Sequence, residues 1–315
     1  MSNVKEVCIF SGSSHFELAK EISEYSQVPL GKLISKTFPD GETFVQIQEN
    51  VRGKACFVLQ SLAHNPNTYL MELLIMIDAL RRASAESITV LIPYYAYSRQ
   101  DRKDKGRVPI TAKLVANLIE KAGADRLVTM DLHADQVQGF FDIPTDNLHA
   151  RPELLKAVRK ENFNHLIVGA PDIGSIKLAK AVSDQIQSDL VIIDKRRLDG
   201  DQIELSPIIG SVDKKNVLFI DDICSTATTL CKAADACKGA GALSVYAMIA
   251  HGLFAGNALE KIEKSQIEKI FVSNTIPQNA AVNHPKIEVV SIACIFGEAV
   301  KSILHGSSIS SLFAY

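Results

Sequence analysis

The sequence has no CxxC pair and no metal-finger spacing among its six cysteines, and it has no apolar run of membrane-spanning length. The cysteines are therefore expected to be reduced, mostly packed thiols. The opening MSNVKEVCIF contains too short an apolar stretch for a signal peptide, and Asp78 or His251 interrupts the longest later runs. These absences predict a cytoplasmic protein without a membrane span.

A basic surface and the common nucleotide-binding loops are also missing. The chain has 34 Lys and Arg against 36 Asp and Glu, a formal net charge of −2. This balance argues against a uniformly basic surface for nucleic acid. Neither G-x-x-x-x-G-K-[ST] nor G-x-G-x-x-G occurs. Any nucleotide must therefore be bound by a different motif, and any anion-binding site must be confined to a small part of the surface.

Short runs rich in Val and Ile alternate with amphipathic segments along the whole chain. This alternation is typical of parallel sheets covered by helices. A length of 315 residues with 47% hydrophobic content can bury one or two cores. We predict an α/β fold of two domains, residues 1–149 and 150–315, each a mostly parallel sheet flanked by helices.

The pattern predicts individual elements within this fold. Strands are predicted at Val7–Phe10, Cys56–Leu59, Ile88–Ile92, Leu127–Met130, Leu166–Val168, Leu190–Ile193, Val217–Ile220, Val245–Ile249 and Ile270–Val272. Helices are predicted at Phe16–Tyr25, Asn67–Ala83, Thr111–Ala122, Ser175–Gln187, Thr228–Gly239 and Phe296–Leu304. Ligands of open α/β sheets bind at the carboxyl ends of the strands, so the candidate sites are sought there.

The segment VLFIDDICSTATTL combines strand Val217–Ile220, two acids, a hydroxyl-rich turn and a helix start. Backbone N–H groups of Ser225–Thr229 at the start of the helix favour a phosphate. The carboxylates of Asp221 and Asp222 would repel that phosphate and suit ribose hydroxyls or hydrated Mg²⁺ instead. The alternative is an ordinary helix cap after a solvated loop. Cys224, within the turn, is interpreted as a packed, inert thiol rather than an oxidation-sensitive one.

A basic run, Arg99–Arg107, follows strand Ile88–Ile92 and carries five basic residues against two acids. It is either a solvated loop or an arginine clamp for a polyphosphate. The spacing alone does not decide between the two.

His133 and Asp172 each follow a predicted strand. Together they could offer one imidazole and one carboxylate to a Mg²⁺ ion that keeps most of its water and bridges substrate phosphates. Separately, each would be a polar loop residue. Spacing does not establish that the two side chains meet.

Two further motifs have both a plain and a functional interpretation. DKRR brings Lys195, Arg196 and Arg197 to the end of a strand, where they could neutralise charge on a transferring phosphoryl group or merely solubilise a loop. FPDGE at Phe38–Glu42 offers a ring to stack, two acids for an amino group, and Gly41 for a turn. By itself it would be a surface turn.

Together these motifs resemble the ribose-phosphate diphosphokinases, also called phosphoribosyl pyrophosphate synthetases, over essentially the whole chain. The most specific matches are NVRG, LMELLIMIDALRRASA, RQDR, RVPITAK, DLHADQVQGFFDIPTDNL, APDIG, DKRR and the turn after Val217–Ile220. The resemblance implies two phosphoribosyltransferase-like domains that transfer the β,γ-diphosphoryl group of Mg·ATP to the 1-hydroxyl of ribose 5-phosphate. Phosphoribosyl pyrophosphate, for nucleotide biosynthesis, and AMP would result. A Mg²⁺ cofactor and a homohexamer with the active site shared between subunits are also implied.

The resemblance assigns roles to residues of this chain. Catalytic roles fall on Lys195 and Arg197. ATP binding is implied for Phe38, Asp40, Gly41 and Glu42, which would contact the adenine from a neighbouring subunit. It is also implied for Arg99, Gln100 and Asp101. Ribose 5-phosphate binding falls on Arg197, Asp221, Asp222, Ser225, Thr226, Ala227, Thr228 and Thr229. Metal binding falls on His133 and Asp172.

The chain departs from the family pattern within the site. The family turn reads DD-x-x-D-T-[AG]-G-T, whereas here Ser225 replaces the third acid and Thr228 replaces a glycine. Contacts made by that acid should weaken, and threonine should cost backbone freedom at 228. Leu198–Asp201 is acidic where the family continues with a Pro- and Arg-rich loop. Two alternatives therefore stay open: a weak or silent regulatory homologue, and a phosphoribosyltransferase, against which RQDR and FPDGE argue.

Overall fold

The computed structural model describes residues 6–197 and 203–309, with the backbone alone for 194–197 and 203–207. The chain divides into two compact units. Of the described residues, 6–150, 275–277 and 291–309 form the first unit, and 151–197, 203–274 and 278–290 form the second. The sequence-based division near residue 150 differs from this one in the segments after residue 274.

The first unit begins with a parallel sheet and the helices that connect its strands. Its elements up to residue 150 are β1 (Val7–Ser11), α1 (Phe16–Ser26), β2 (Leu33–Thr37), β3 (Thr43–Ile47), β4 (Ala55–Leu59), α2 (Pro66–Arg82), β5 (Ser87–Ile92), α3 (Thr111–Ala122), β6 (Arg126–Met130) and β7 (Thr145–Leu148). The five parallel strands lie in the order β1-β4-β5-β6-β7. All five residues of β4 are buried, because helices cover both faces of a parallel sheet and its strands are apolar throughout.

Strands β2 and β3 form a separate antiparallel hairpin. Thr37 pairs with Thr43, so residues 38–42 make the connecting turn. Residues 33–36 of β2 alternate between partly buried and exposed, as expected for a strand with one covered face, and all residues of β3 except Gln46 are partly buried. The FPDGE motif is therefore presented at the tip of a hairpin.

The second unit contains a larger sheet. Its elements are α4 (Arg151–Lys160), β8 (Leu166–Ala170), α5 (Ile176–Ile186), β9 (Leu190–Arg197), β10 (Ile203–Ile209), β11 (Asn216–Cys224), α6 (Thr228–Gly239), β12 (Ser244–Gly252), α7 (Ala258–Lys264), β13 (Ile267–Ser273) and β14 (Ile287–Val290). The strand order is β10-β9-β8-β11-β12-β13-β14. Among the strand pairs of this sheet that the structure describes, only the edge pair of β10 and β9 is antiparallel. The carboxyl ends of β8, β11 and β12 therefore meet at one edge of the sheet.

The last helix, α8 (Ala293–His305), belongs to the first unit, although the sequence-based division put it in the second half. It packs against α1. Gly297 allows this approach, because a Cβ there would lie 2.4 Å from the Tyr25 ring. The Lys301 ammonium lies 4.4 Å from the centre of the same ring. The apolar face of α8 thus completes the core of the first unit.

The structure confirms the predicted strands and helices, with shifted ends for most of them. Helices Thr111–Ala122 and Thr228–Gly239 have the predicted bounds. Strands β9 and β11 extend four residues beyond the predicted ends at Ile193 and Ile220. In the part of the chain that the structure describes, no helix is both long and apolar enough to cross a membrane.

Candidate functional site

The two acids of the VLFIDDICSTATTL segment lie in strand β11, so their prediction as part of a turn is wrong. Strand β8 pairs with β11 only as far as Phe219, but β12 continues to pair as far as Cys224. Asp221 is opposite Ile249, and Cys224 is opposite Gly252. The neighbouring strand therefore keeps this acidic stretch extended, and the connecting turn is confined to residues 225–227.

The turn leads directly into helix α6, as predicted. Ala227 precedes the helix in the left-handed conformation, with φ 57°. Thr228 is the first helical residue and has no positive φ. The expected backbone cost of threonine at 228 is therefore wrong for this structure, since a helical φ suits any L-residue. The conformational strain falls on Ala227 instead, at about 1 kcal/mol.

Lys261 was not predicted to belong to this site, yet its ammonium donates hydrogen bonds to Thr228 Oγ1 at 2.8 Å and to the Thr226 carbonyl at 3.4 Å. It lies on helix α7, which follows the neighbouring strand β12. No local pattern in the sequence reports this contact, because Lys261 is 33 positions from Thr228.

Three carboxylates of the second unit lie near one another. Burial raises the pKa of the Asp221 carboxyl well above its ordinary value, and the charges of Asp222 and Asp172 raise it further. Asp222 donates its backbone N–H to Asp221 Oδ1 at 3.0 Å. Because β8 and β11 are adjacent parallel strands, their ends bring Asp172 and Asp221 together. Such a cluster favours a cation or several hydrogen-bond donors.

Asp172 also shapes the loop after β8. Its Oδ1 accepts a 3.0 Å hydrogen bond from Gly174 N, and its carbonyl accepts one from Ser175 Oγ at 3.0 Å. These bonds cap the short 3₁₀ helix Ile173–Ser175. Asp172 therefore has a structural role besides the metal contact predicted from the sequence, and that contact stays a prediction.

The cysteines match the prediction of reduced, mostly packed thiols. All six lie among the described residues, none forms a disulfide, and all except Cys294 are buried. Burial, followed by the charge of Asp221, raises the pKa of Cys224 to about 12. A thiol with so high a pKa stays protonated and unreactive at neutral pH. The interpretation of Cys224 as a packed thiol is confirmed, and its inertness stays a prediction.

The basic DKRR segment lies in strand β9, not at the mouth of a loop. Leu205 of β10 pairs with Lys195, and Ile203 pairs with Arg197. The prediction that the strand ends at Ile193 is therefore wrong, because β10 supplies antiparallel partners. The side chains of Lys195 and Arg197 lie outside the described residues, as does the whole of 198–201, so their predicted roles stay predictions.

The FPDGE turn, Phe38–Glu42, is exposed and internally bonded. Phe38 N donates to the Glu42 carbonyl at 2.8 Å, and Gly41 N donates to the Phe38 carbonyl at 2.9 Å. Gly41 has φ 95°, which favours glycine. The Phe38 ring packs edge-on against Phe44, with the ring centres 5.7 Å apart. The aromatic ring and the acids Asp40 and Glu42 are thus presented outward from a defined turn.

The RQDR loop after β5 contacts the loop after β6. Gln100 Oε1 accepts a 2.6 Å hydrogen bond from Thr111 Oγ1, and Asp101 Oδ2 accepts one from Gln136 Nε2 at 2.7 Å. Arg99 is exposed. The loops after β5 and β6 therefore meet, and they leave the Arg99 guanidinium accessible to an anion.

His133 lies in the exposed loop after β6, as predicted. The preceding residue, Leu132, donates its N–H to Asn147 Oδ1 at 3.1 Å. Asp131 lies 2.8 Å from His149 Nδ1 and accepts Ala150 N at 2.9 Å. Sequence reasoning missed these supporting residues, although Asp131 lies in the same TMDLHAD motif.

His133 belongs to the first unit and Asp172 to the second. Among the side chains of residues 6–193 and 208–309, no group of three or more His, Cys, Asp or Glu is arranged to hold a metal ion. The prediction that His133 and Asp172 jointly bind Mg²⁺ stays a prediction.

The fold and the site define an α/β protein with open, mostly parallel sheets and polar groups gathered at the strand ends. Residues 7–123 match the N-terminal domain of ribose phosphate pyrophosphokinase, and residues 202–314 match the phosphoribosyl synthetase-associated domain. The ribose-phosphate pyrophosphokinase of Helicobacter hepaticus is 49% identical over 305 residues, which cover 97% of this chain and 98% of that protein. The Campylobacter jejuni protein of the same name is 48% identical, with the same coverage of both chains.

The phosphoribosylpyrophosphate synthetase of Mycobacterium smegmatis has a similar structure. Its TM-score is 0.90 and its identity is 36%, over 96% of this chain and 100% of that one. This chain belongs to the ribose-phosphate pyrophosphokinase family. The predicted family and fold class are confirmed.

Proposed function

We propose that this chain is a ribose-phosphate pyrophosphokinase that transfers the β,γ-diphosphoryl group of ATP to the 1-hydroxyl of ribose 5-phosphate. The products are phosphoribosyl pyrophosphate, a precursor for nucleotide biosynthesis, and AMP. The observation that carries the proposal is the 49% identity to an enzyme of this name over 97% of the chain. The arrangement of residues 221–229 supports it independently.

Ribose 5-phosphate binds at the turn between β11 and α6 in this proposal. The N–H groups at the start of α6 and the hydroxyls of Thr226, Thr228 and Thr229 hold the 5-phosphate. The carboxylates of Asp221 and Asp222 accept hydrogen bonds from the ribose hydroxyls. Ser225 and Ala227 complete the turn. The start of α6 immediately after this turn supports the assignment.

ATP binds through two motifs of the first unit. Phe38, with Asp40, Gly41 and Glu42, reads the adenine bound to a neighbouring subunit, and Arg99, Gln100 and Asp101 hold the triphosphate. The exposure of the FPDGE turn at the hairpin tip supports its use by another copy of the chain. We propose a homohexamer in which the subunits share this site.

The reaction is an in-line displacement at phosphorus. The 1-hydroxyl oxygen attacks the β-phosphorus and loses its proton, while the bond from that phosphorus to the oxygen bridging the α-phosphate breaks and AMP leaves. Lys195 and Arg197 stabilise the charge that develops on the phosphoryl oxygens. Arg197 also binds ribose 5-phosphate. Correct positioning of both substrates supplies much of the remaining acceleration.

Mg²⁺ is the proposed cofactor, with His133 and Asp172 as its protein contacts. Burial raises the pKa of the Asp221 carboxyl and the charges of Asp222 and Asp172 raise it further, so this group of carboxylates suits a hard cation. A Mg²⁺ ion usually keeps several waters and uses substrate phosphates, so one or two protein ligands suffice. When bound, it neutralises phosphate charge. The cytoplasmic location stays a prediction.

The assay is incubation of the purified chain with Mg·ATP and ribose 5-phosphate, followed by measurement of AMP and phosphoribosyl pyrophosphate in equal amounts. Ribose without the 5-phosphate is the matched control and should not be consumed. Absence of turnover in a folded oligomer would overturn the proposal in favour of a silent homologue. Consumption of phosphoribosyl pyrophosphate with a nucleobase would point to a phosphoribosyltransferase.

A further inference from the structure

The loop after β12 is hydrogen-bonded to the turn between β11 and α6. Leu253 N donates to the Cys224 carbonyl at 2.9 Å, and Ala255 N donates to the Ser225 carbonyl at 2.8 Å. These two bonds fix the loop that leads into helix α7. As a result, α7 begins close to the turn and brings Lys261 to it.

The Lys261 ammonium is partly buried and bonded to the turn at two points. It donates to Thr228 Oγ1 at 2.8 Å and to the Thr226 carbonyl at 3.4 Å. The hydroxyls of Thr226 and Thr228 lie 3.3 Å apart. An ammonium has three donors, so these two contacts leave it capacity for a third.

The contact with Lys261 determines what the Thr228 hydroxyl can offer a ligand. Since the hydroxyl oxygen accepts from an ammonium, its own hydrogen can be donated, either to Thr226 Oγ1 at 3.3 Å or to a ligand. A charge-assisted bond also polarises the hydroxyl and makes it a stronger donor. A phosphate at the start of α6 is the acceptor that fits such a donor.

Charge gives a second reason. Residues 221–229, DDICSTATT, include two acids and no basic residue. This segment by itself therefore offers no positive charge to a phosphate. Lys261, on a different helix, brings a positive charge to the turn. Its ammonium is bonded to the hydroxyl of Thr228, which is the first residue of α6.

We propose that Lys261 is a positioning residue for ribose 5-phosphate: it orients the Thr228 hydroxyl as a donor to the 5-phosphate. The threonine that replaces a glycine of the family pattern is thereby the link between Lys261 and the substrate. This inference rests on the proposed function, since it places ribose 5-phosphate at the start of α6.

The test is direct binding of ribose 5-phosphate, measured by titration calorimetry without ATP on the full-length protein. Lys261→Met and Thr228→Val should each weaken binding about tenfold, the effect of losing a hydrogen bond that involves a charged group. Lys261→Arg and Thr228→Ser keep the charge and the hydroxyl and should restore most of the affinity. Lys264→Met, an exposed lysine of the same helix, is the matched control and should leave binding within twofold.

The double variant Lys261→Met/Thr228→Val distinguishes positioning from independent contacts. If Lys261 acts through Thr228, the affinity of the double variant for ribose 5-phosphate equals that of the single variant with the lower affinity, because the second change removes no further interaction. Multiplication of the two losses would overturn the positioning role. Unchanged binding in a folded Lys261→Met protein, with its thermal midpoint preserved, would also overturn it.

Steady-state kinetics provide a second readout. With saturating Mg·ATP, Lys261→Met should raise KM for ribose 5-phosphate about tenfold and leave KM for ATP within twofold, a separation that general destabilisation would not produce. Failure of the proposed function appears differently, as a wild-type protein that transfers no diphosphoryl group. Binding that still depends on Lys261 in such a protein would support the inference while rejecting the reaction.

Discussion

The hydroxyl of Ser35 donates a 2.5 Å hydrogen bond to the carboxylate of Glu72, linking hairpin strand β2 to helix α2. The same carboxylate accepts from Ser13 Oγ at 2.6 Å and from Gln60 Nε2 at 2.7 Å. Glu72 is only 2% exposed, so its carboxyl oxygens need these hydrogen-bond partners. Because the hairpin carries the FPDGE turn at its tip, this buried carboxylate holds the turn on the body of the first unit.

Replacing Glu72 by alanine should destabilise the first unit by about 3 kcal/mol or more, because buried donors lose their acceptor at about 1–3 kcal/mol each. The measurement is urea denaturation followed by circular dichroism. Glu24→Ala, at an exposed position on α1, is the control and should change the free energy of unfolding by less than about 0.5 kcal/mol. A Glu72→Ala protein as stable as the control would contradict the role assigned to this network.

Lys195→Ala should lower turnover at least ~100-fold, a typical loss when a contact to the transition state is removed. Binding of ribose 5-phosphate and the size of the oligomer should not change, as calorimetry and light scattering can verify. Lys160→Ala, an exposed lysine at the end of α4, is the control. Near-normal turnover of the Lys195→Ala protein would reject the catalytic assignment.

Ser225→Asp should lower the Mg²⁺ concentration needed for half-maximal activity, because it restores the acid of the family pattern beside Asp221 and Asp222. Activity is measured across a Mg²⁺ titration at saturating substrates. Ser225→Asn has nearly the same shape without the charge and separates the effect of charge from that of size. Identical Mg²⁺ profiles for all three proteins would mean that Ser225 substitutes adequately for the acid.

The sequence predicted elements well where local signals were strong. Helix Thr111–Ala122 has an apolar stripe and is followed by Gly123 with φ 120°, a conformation that favours glycine and ends a helix. The hairpin strands Leu33–Thr37 and Thr43–Ile47 were not predicted, because they are short, partly exposed and outside the main sheets. Further elements that were not predicted are Thr145–Leu148, Arg151–Lys160, Ile203–Ile209, Ala258–Lys264 and Ile287–Val290.

The site was predictable as far as its motifs, but not in its supporting contacts. Aspartate is depleted in strands, so the sequence suggested that the strand ends before Asp221; pairing with β12 overrides that preference. The bond from Lys261 to Thr228 joins residues 33 positions apart. Only the parallel arrangement of β11 and β12 brings them together, and no local pattern reports such a contact.

The raised pKa of Asp221 predicts a conflict between stability and function. Burial, with the charges of Asp222 and Asp172, makes ionisation of this carboxyl unfavourable in the folded protein, whereas an unfolded chain ionises it near pH ~3.9. The folded state therefore holds the proton more tightly than the unfolded state. The contribution of this carboxyl to the free energy of unfolding is therefore present at low pH. It is lost as the pH rises from the pKa of the carboxyl in the unfolded chain through its raised pKa in the folded protein.

Asp221→Asn cannot ionise and should escape this loss. Thermal midpoints are measured from pH 4.5 to 8 in the presence of a chelator, and the variant's advantage over wild type should grow with pH across the window above ~3.9. Turnover should fall at the same time, because an amide cannot replace the carboxylate as a purely accepting partner for ribose hydroxyls. Asp235→Asn, an exposed aspartate of α6, is the control and should show no growing advantage. A constant difference between variant and wild type at every pH would mean that the Asp221 carboxyl titrates alike in the folded and unfolded chains.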